Sequence, residues 1–117
     1  MTKAQECLDA SKAVCISVQN FFKQIQREGI LTSPEAGSIP SIMKTAMQAA
    51  NEMDRDHMQP MAALIYDTDG THKASVKDVI QMIRDAAKDL AKLQQYLQEA
   101  KALVQQYRRE EAKKEEM

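Results

Sequence analysis

The feature that most constrains the fold is an unbroken repeat of apolar residues over 76–107. Its members recur at intervals of three and four residues, so in an α-helix they lie on one face. Ser75 and Asp78 precede the repeat in the S-x-x-D pattern of a helix start. We therefore predict a helix over about 75–112, with a charged, solvated end at 108–117. The predicted core face comprises Val76, Val79, Ile83, Ala86, Leu90, Leu93, Leu97, Ala100, Val104 and Tyr107.

A second apolar repeat near the start of the chain predicts a helix over about 3–28. Gly29 follows it and can take the left-handed conformation that ends many helices. Ile30 would then face Ile25 across the helix end. The stripe itself consists of Ala4, Leu8, Ser11, Cys15, Val18, Phe22 and Ile25.

A third repeat predicts a helix over about 39–66, and a proline interrupts it. Pro60 has no N–H group and its ring clashes with the preceding turn, which costs ~3 kcal/mol or more inside a helix. We expect this helix either to kink near residue 60 or to break there into two helices. Its stripe is Ile39, Ile42, Met43, Ala46, Ala49, Ala50, Met53 and His57.

The composition agrees with an all-helical chain. Aromatic residues make up 4%, and there are only three Gly and three Pro, whereas sheet proteins are rich in aromatic and β-branched residues and in turns. The length of 117 residues fits one domain. Short connections make neighbouring helices antiparallel. The predicted fold is therefore an all-α, antiparallel up-down-up bundle of three long helices within one domain, or four helices if the second breaks at Pro60.

The unequal helix lengths predict an overhang at one end of the bundle. The third helix exceeds the other two, so its last ten or so residues extend past the end where the loop over 30–40 lies. Two alternatives follow for Leu103, Val104 and Tyr107. Either Ile30 and Leu31 fold over them, or they form an apolar patch that binds a partner.

Charge and hydropathy narrow the function classes. The net charge is −1, with 16 basic and 17 acidic residues, which argues against a nucleic-acid-binding face. No apolar run approaches the ~20 residues of a membrane span, and residues 1–12 lack the apolar centre of a signal peptide. Cys7 and Cys15 lie roughly 12 Å apart on one predicted helix, too far for a mutual disulfide. We expect a cytoplasmic protein with reduced cysteines.

The stretch DTDGTHKASVKD over 67–78 resembles a calcium loop of the EF-hand type only in part. His72 stands where the loop requires Gly, and Asp78 is shorter than the usual Glu. The same residues fit a tight turn followed by a helix cap, which is the favoured interpretation. A weak calcium-responsive protein is the alternative, with Asp67, Asp69, Thr71, Ser75 and Asp78 as ligands.

Met53, His57 and Met61 are spaced four residues apart and would share a helix face. Thioether and imidazole ligands suit Cu(I), so a Met/His metal carrier is a further alternative. Methionine also fills irregular cores, which we favour here.

The sequence offers no set of nucleophile, base and oxyanion donor that would converge in a pocket. We therefore predict no enzyme and no cofactor. The leading hypothesis is a non-catalytic protein–protein interaction module that acts as an adaptor, scaffold or assembly subunit. Its partner would be a protein, either an amphipathic helix or a second copy of the chain, bound in a groove between two helices or at Leu103, Val104 and Tyr107.

Overall fold

A computed structural model describes residues 2–66 and 74–116 of the chain. These residues form helices and contain no strand, which confirms the predicted all-α class. The molecule is an elongated body of 65 × 20 × 20 Å. No helix in the described part of the chain combines the length and apolar character needed to cross a membrane. The helices are α1 (Thr2–Arg27), α2 (Ile39–Met53), α3 (Gln59–Ile65) and α4 (Val76–Glu116).

Contacts between side chains give the helix directions. At one end of the bundle the Tyr66 hydroxyl lies 3.4 Å from Gln5 Oε1, and at the other Arg108 pairs with Glu28 at 2.9 Å. Between them, Cys15 of α1 contacts the Ala50 carbonyl of α2. The pair formed by α2 and α3 therefore runs antiparallel to α1, while α4 runs parallel to α1.

The end of α1 follows the predicted glycine stop. Gly29 adopts the left-handed conformation, with φ 73°, and its N–H donates to the carbonyl of Gln26 at 3.1 Å. A short 3-10 turn, Ile30–Thr32, then turns the chain back. Ile30 is buried against Ile25 in the same apolar cluster.

Between α2 and α3 the chain forms a π segment, Asp54–Met58. The N–H of Gln59 donates to the carbonyl of Asp54, five residues earlier. Residues at both junctions keep right-handed helical angles, so the helical backbone has no gap. Pro60 lies near the start of α3, where its missing N–H is tolerated. The proline is thus accommodated by a wider helical turn before it, and the helix does not break.

The π segment changes which residue faces the core. Along α2 and α3 the buried positions are spaced by three and four, except for a step of five between Met53 and Met58. His57, which the sequence places at the end of the apolar stripe, is partly buried, with 13% of its side chain exposed. Met58, one residue later, takes the buried position of the core. His57 instead points toward α4, where its Nε2 lies 2.6 Å from Asp89 Oδ2.

Two apolar clusters fill the bundle. The central cluster joins all the long helices through residues such as Leu8, Val18, Met53 and Leu93. The loop-end cluster consists of Ile25, Ile30, Ala36, Ile39, Met43, Ala100 and Val104. Phe21 packs against both, so the core is continuous.

The long helix α4 begins as predicted. The hydroxyl of Ser75 accepts the N–H of Asp78 at 3.1 Å, which caps the helix. Most of the predicted stripe is buried or half-buried. Val76 is an exception, with 77% of its surface exposed, because it is the first residue of α4 and lies at the edge of the packed core.

Candidate protein-binding groove

A groove follows the seam between α1 and α2. It consists of two adjoining cavities of about 190 and about 420 Å³, which share Asn51. The first is lined by Lys12, Cys15, Ile16, Gln19, Ala50, Asn51, Asp54 and Met58. The second is lined by Phe22, Leu31, Pro40, Lys44, Met47, Gln48 and Asn51. No residue of α4 lines either cavity, so the groove is formed by α1, α2, the π segment and the loop.

The floor of the groove is apolar because small residues let the helices approach. Ala50 is buried, and its carbonyl oxygen lies 3.7 Å from the sulfur of Cys15. The Met58 sulfur lies 3.8 Å from the same thiol. Burial, and secondarily the negative charge of Asp54, raise the pKa of Cys15. The thiol is therefore neutral near pH 7 and acts as part of the apolar surface.

Ile16 is an exposed large apolar side chain of the groove, with 55% of its surface accessible. Phe22, Leu31 and Met47 are half-buried along the same groove. Ile16 lies beside the core stripe of α1 rather than on it, and the sequence analysis did not single it out. The spacing of Lys12, Ile16 and Gln19 could have indicated this surface, because the three residues follow one another at helical intervals beside the core stripe.

Polar groups border this apolar strip. Lys12 lies on the α1 side and Lys44 on the α2 side. Asp54 is the one carboxylate among the lining residues, and it accepts a hydrogen bond from the Gln59 amide at 2.8 Å. A surface with an apolar centre and polar edges is typical of a protein-binding site.

The overhanging end of α4 is covered by the loop. Val104 is 1% exposed and packs with Ile30 in the loop-end cluster. Leu103 and Tyr107 are half-buried at the margin of that cluster and border a cavity of about 160 Å³. Val104 is therefore covered by the loop, which is one of the two alternatives that the sequence left open. Partner contact through Leu103 and Tyr107 stays a prediction.

Exposed ion pairs lie at the same end of the bundle. Arg108 pairs with Glu28 at 2.9 Å, and Lys114 lies 3.4 Å from both Glu35 and Glu111. The Ser33 hydroxyl, followed by the ammonium group of Lys114, lowers the pKa of Glu35. These groups are exposed, so each pair contributes little to stability.

The residues of the metal hypotheses are separated or engaged elsewhere. Met53 and Met61 are buried in the central cluster, while His57 contacts Asp89. Within 2–66 and 74–116, no three His, Cys, Asp or Glu side chains come together around a common point. Neither metal hypothesis is tested by these positions.

The calcium candidates divide between described and undescribed parts of the chain. Asp67, Asp69 and Thr71 lie outside the described residues. Ser75 uses its hydroxyl to cap α4, and Asp78 is exposed in the first turn of that helix.

A larger apolar cavity of about 470 Å³ lies at the opposite end, between the starts of α1 and α4. Val76 and Ile80 are its exposed members.

Comparison with protein-family models, curated proteins and solved structures gave no match.

Proposed function

We propose that the chain is a non-catalytic helical-bundle module that binds an amphipathic helix of a partner protein in the α1–α2 groove. A helix laid along this groove would pack on α1 and α2 and complete a four-helix arrangement. The observation that carries the proposal is the 55% exposure of Ile16 beside an apolar floor. A partner's apolar side chains would cover this residue and remove its surface from water.

The shape of the groove favours a helix as the occupant. Its lining on α2 and the π segment runs from Pro40 to Met58, roughly 27 Å at ~1.5 Å per residue. A helix of about 18 residues has the same length. Two helical walls also offer the ridges and grooves into which a third helix packs. Recognition would then use apolar anchors at spacings of three and four residues.

Such a module would serve as an adaptor, a scaffold segment or a subunit of an assembly. Its groove holds apolar and amide side chains, two lysines, a thiol and a single carboxylate, and the raised pKa of that thiol does not suit a catalytic nucleophile. The free thiols of Cys7 and Cys15 are compatible with a reducing compartment such as the cytoplasm.

The test is a titration of the 15N-labelled full chain with helical peptides of about 18 residues. The peptides share one apolar stripe and differ only in their flanking charges, which are acidic, basic or neutral. At least one peptide is expected to shift the amide signals of Ile16, Met47 and Asn51. Ile16→Asp should abolish these shifts, because it places a charge on the apolar contact.

The matched control is Ala102→Asp, which puts the same side chain at an exposed position of α4. This variant should bind as the wild type does. Absence of any change in the groove signals with all three peptides would overturn the proposal. Shifts confined to Leu103 and Tyr107 would overturn it in favour of the overhanging end.

A further inference from the structure

We propose that the helix accepted by the α1–α2 groove carries acidic residues along both flanks. This inference rests on the proposed function and adds the chemistry of the partner. It comes from the charges that border the groove, which are unevenly distributed.

Basic side chains stand on both walls. Lys12 lines the groove on α1 and Lys44 lines it on α2. By helical spacing, Lys23 lies one turn beyond Gln19 and Asp9 one turn before Lys12 on the same side of α1, so extending the groove along α1 adds one charge of each sign. Asp54 supplies the one opposing charge among the lining residues. An occupant thus meets a net positive border.

Like most cations of the described residues, these lysines have no carboxylate partner, so their ammonium groups are available to the charges of an occupant. Arg55, Arg108 and Lys114 each form ion pairs. Within 2–66 and 74–116, the ion pairs include none that involves Lys12, Lys23 or Lys44. The chain as a whole has a net charge of −1, so the basic border is a local property of the groove. Unpaired cations beside an apolar strip favour a partner with carboxylates in matching places.

The helix register indicates where those carboxylates belong. Phe22 of α1 and Lys44 of α2 border the same cavity, so they lie at the same height along the groove. Phe22 comes ten residues after Lys12 on α1. The two lysines are therefore about 15 Å apart along the groove, on opposite walls. A docked helix would meet them with acidic residues about ten positions apart, one on each flank. Lysine stems are long and flexible, which allows this spacing some tolerance.

A second copy of the chain is a poorer occupant. The large apolar side chains that are exposed in the described residues are Ile16, Tyr66, Val76 and Ile80. Of these, Val76 and Ile80 alone share one face of a helix, and they are four residues apart. That stripe covers about 6 Å, far short of the groove. A separate helix with a longer stripe fills the groove better.

The test compares the acidic-flanked and basic-flanked peptides of about 18 residues on the full chain. At low ionic strength the acidic peptide is expected to bind at least about tenfold more tightly and to associate faster. Added salt should narrow this difference, because it screens exposed charges. The double variant Lys12→Glu/Lys44→Glu should reverse the preference.

The matched control is Lys101→Glu/Lys113→Glu, which changes the net charge equally at exposed positions of α4. It should keep the preference for the acidic peptide. Equal affinities, or tighter binding of the basic peptide, would overturn the acidic partner but leave the groove proposal intact if Ile16→Asp still abolishes binding. If neither charged peptide changes the amide signals of the groove, the inference of an acidic partner is overturned. If the neutral peptide also causes no change, the groove proposal is overturned as well.

Sedimentation of the chain alone completes the test. A monomer at all concentrations supports a separate partner. Self-association that Ile16→Asp removes would identify a second copy as the occupant, and it would overturn the inference of an acidic helix.

Discussion

At the scale of single residues, the central finding concerns which side chain of the π segment enters the core. A regular helix with steps of three and four from Met53 reaches His57, whereas the structure buries Met58 against Cys15. His57 keeps 13% of its side chain exposed and contacts Asp89. Both side chains are thus largely buried, and the Asp89 carboxylate gives the imidazole the hydrogen bond that a buried polar ring requires.

The positions of Met58 and His57 predict that replacing the methionine lowers the free energy of unfolding more than replacing the histidine. Met58→Ala should lower the free energy of unfolding by about 2–4 kcal/mol, because it removes a buried side chain and leaves a cavity. His57→Ala should cost no more than about 1–1.5 kcal/mol, the usual contribution of one hydrogen bond. Urea unfolding followed by circular dichroism measures both values. The reverse order would show that His57 and not Met58 is the core residue.

At the scale of elements, the π segment is best understood as one extra residue inserted into an otherwise regular helix. The buried positions before Met53 and after Met58 keep the ordinary spacing. The single step of five between them lets both halves face the same core. π turns of this kind are frequent at functional sites, and here Asp54 and Met58 also line the groove.

Deleting one residue from the π segment should therefore be tolerated. Removing Asp56 shortens the step from five to four, so the segment becomes a regular α-turn and Met58 keeps its core position. The lost ion pair with Arg55 is exposed and of little consequence. We expect the variant to unfold cooperatively with a stability within about 1.5 kcal/mol of the wild type.

Deletion of Gln48 is the matched control, since this residue is also exposed but lies in the regular turns of α2. That deletion rotates the rest of the helix by about 100° and turns the buried face away from the core. It should abolish cooperative unfolding. If both deletions are equally damaging, the π segment is not a simple insertion.

At the scale of the whole molecule, the sequence predicted the helices and the overhang of the third helix, because both depend on spacing along the chain. Val104 could be placed at that overhang from helix lengths alone, yet the sequence left open whether the loop covers it. A groove between two helices was also expected, but the sequence did not indicate which helices or residues form it. Ile16 lies off the core stripe, and the residues that line the groove beside it, such as Ala50, come from a helix far away in the sequence. The π segment was missed because a polar His57 fitted the regular spacing.

We expect the loop-end cluster to open separately from the rest of the bundle, because a loop covers the overhanging part of α4 there. Ile30 is 2% exposed and packs with Ile25, Ile39 and Val104 in the loop-end cluster. Ile30→Ala should cost about 2–4 kcal/mol and loosen this cluster first. Hydrogen exchange should then accelerate in α4 beyond Ala100 while the amides near the middle of that helix stay protected.

Thr32→Ala is the matched control, because Thr32 belongs to the same 3-10 turn but is exposed. Its exchange pattern should resemble that of the wild type. The reason for expecting local opening is the position of the ion pairs around this end: Arg108 with Glu28 and Lys114 with Glu35 are exposed and screened by water, so they cannot replace the apolar contact that Ile30 makes. An equal acceleration along the whole of α4 would mean instead that the two clusters unfold as one unit, and that Ile30 supports the entire bundle rather than its end.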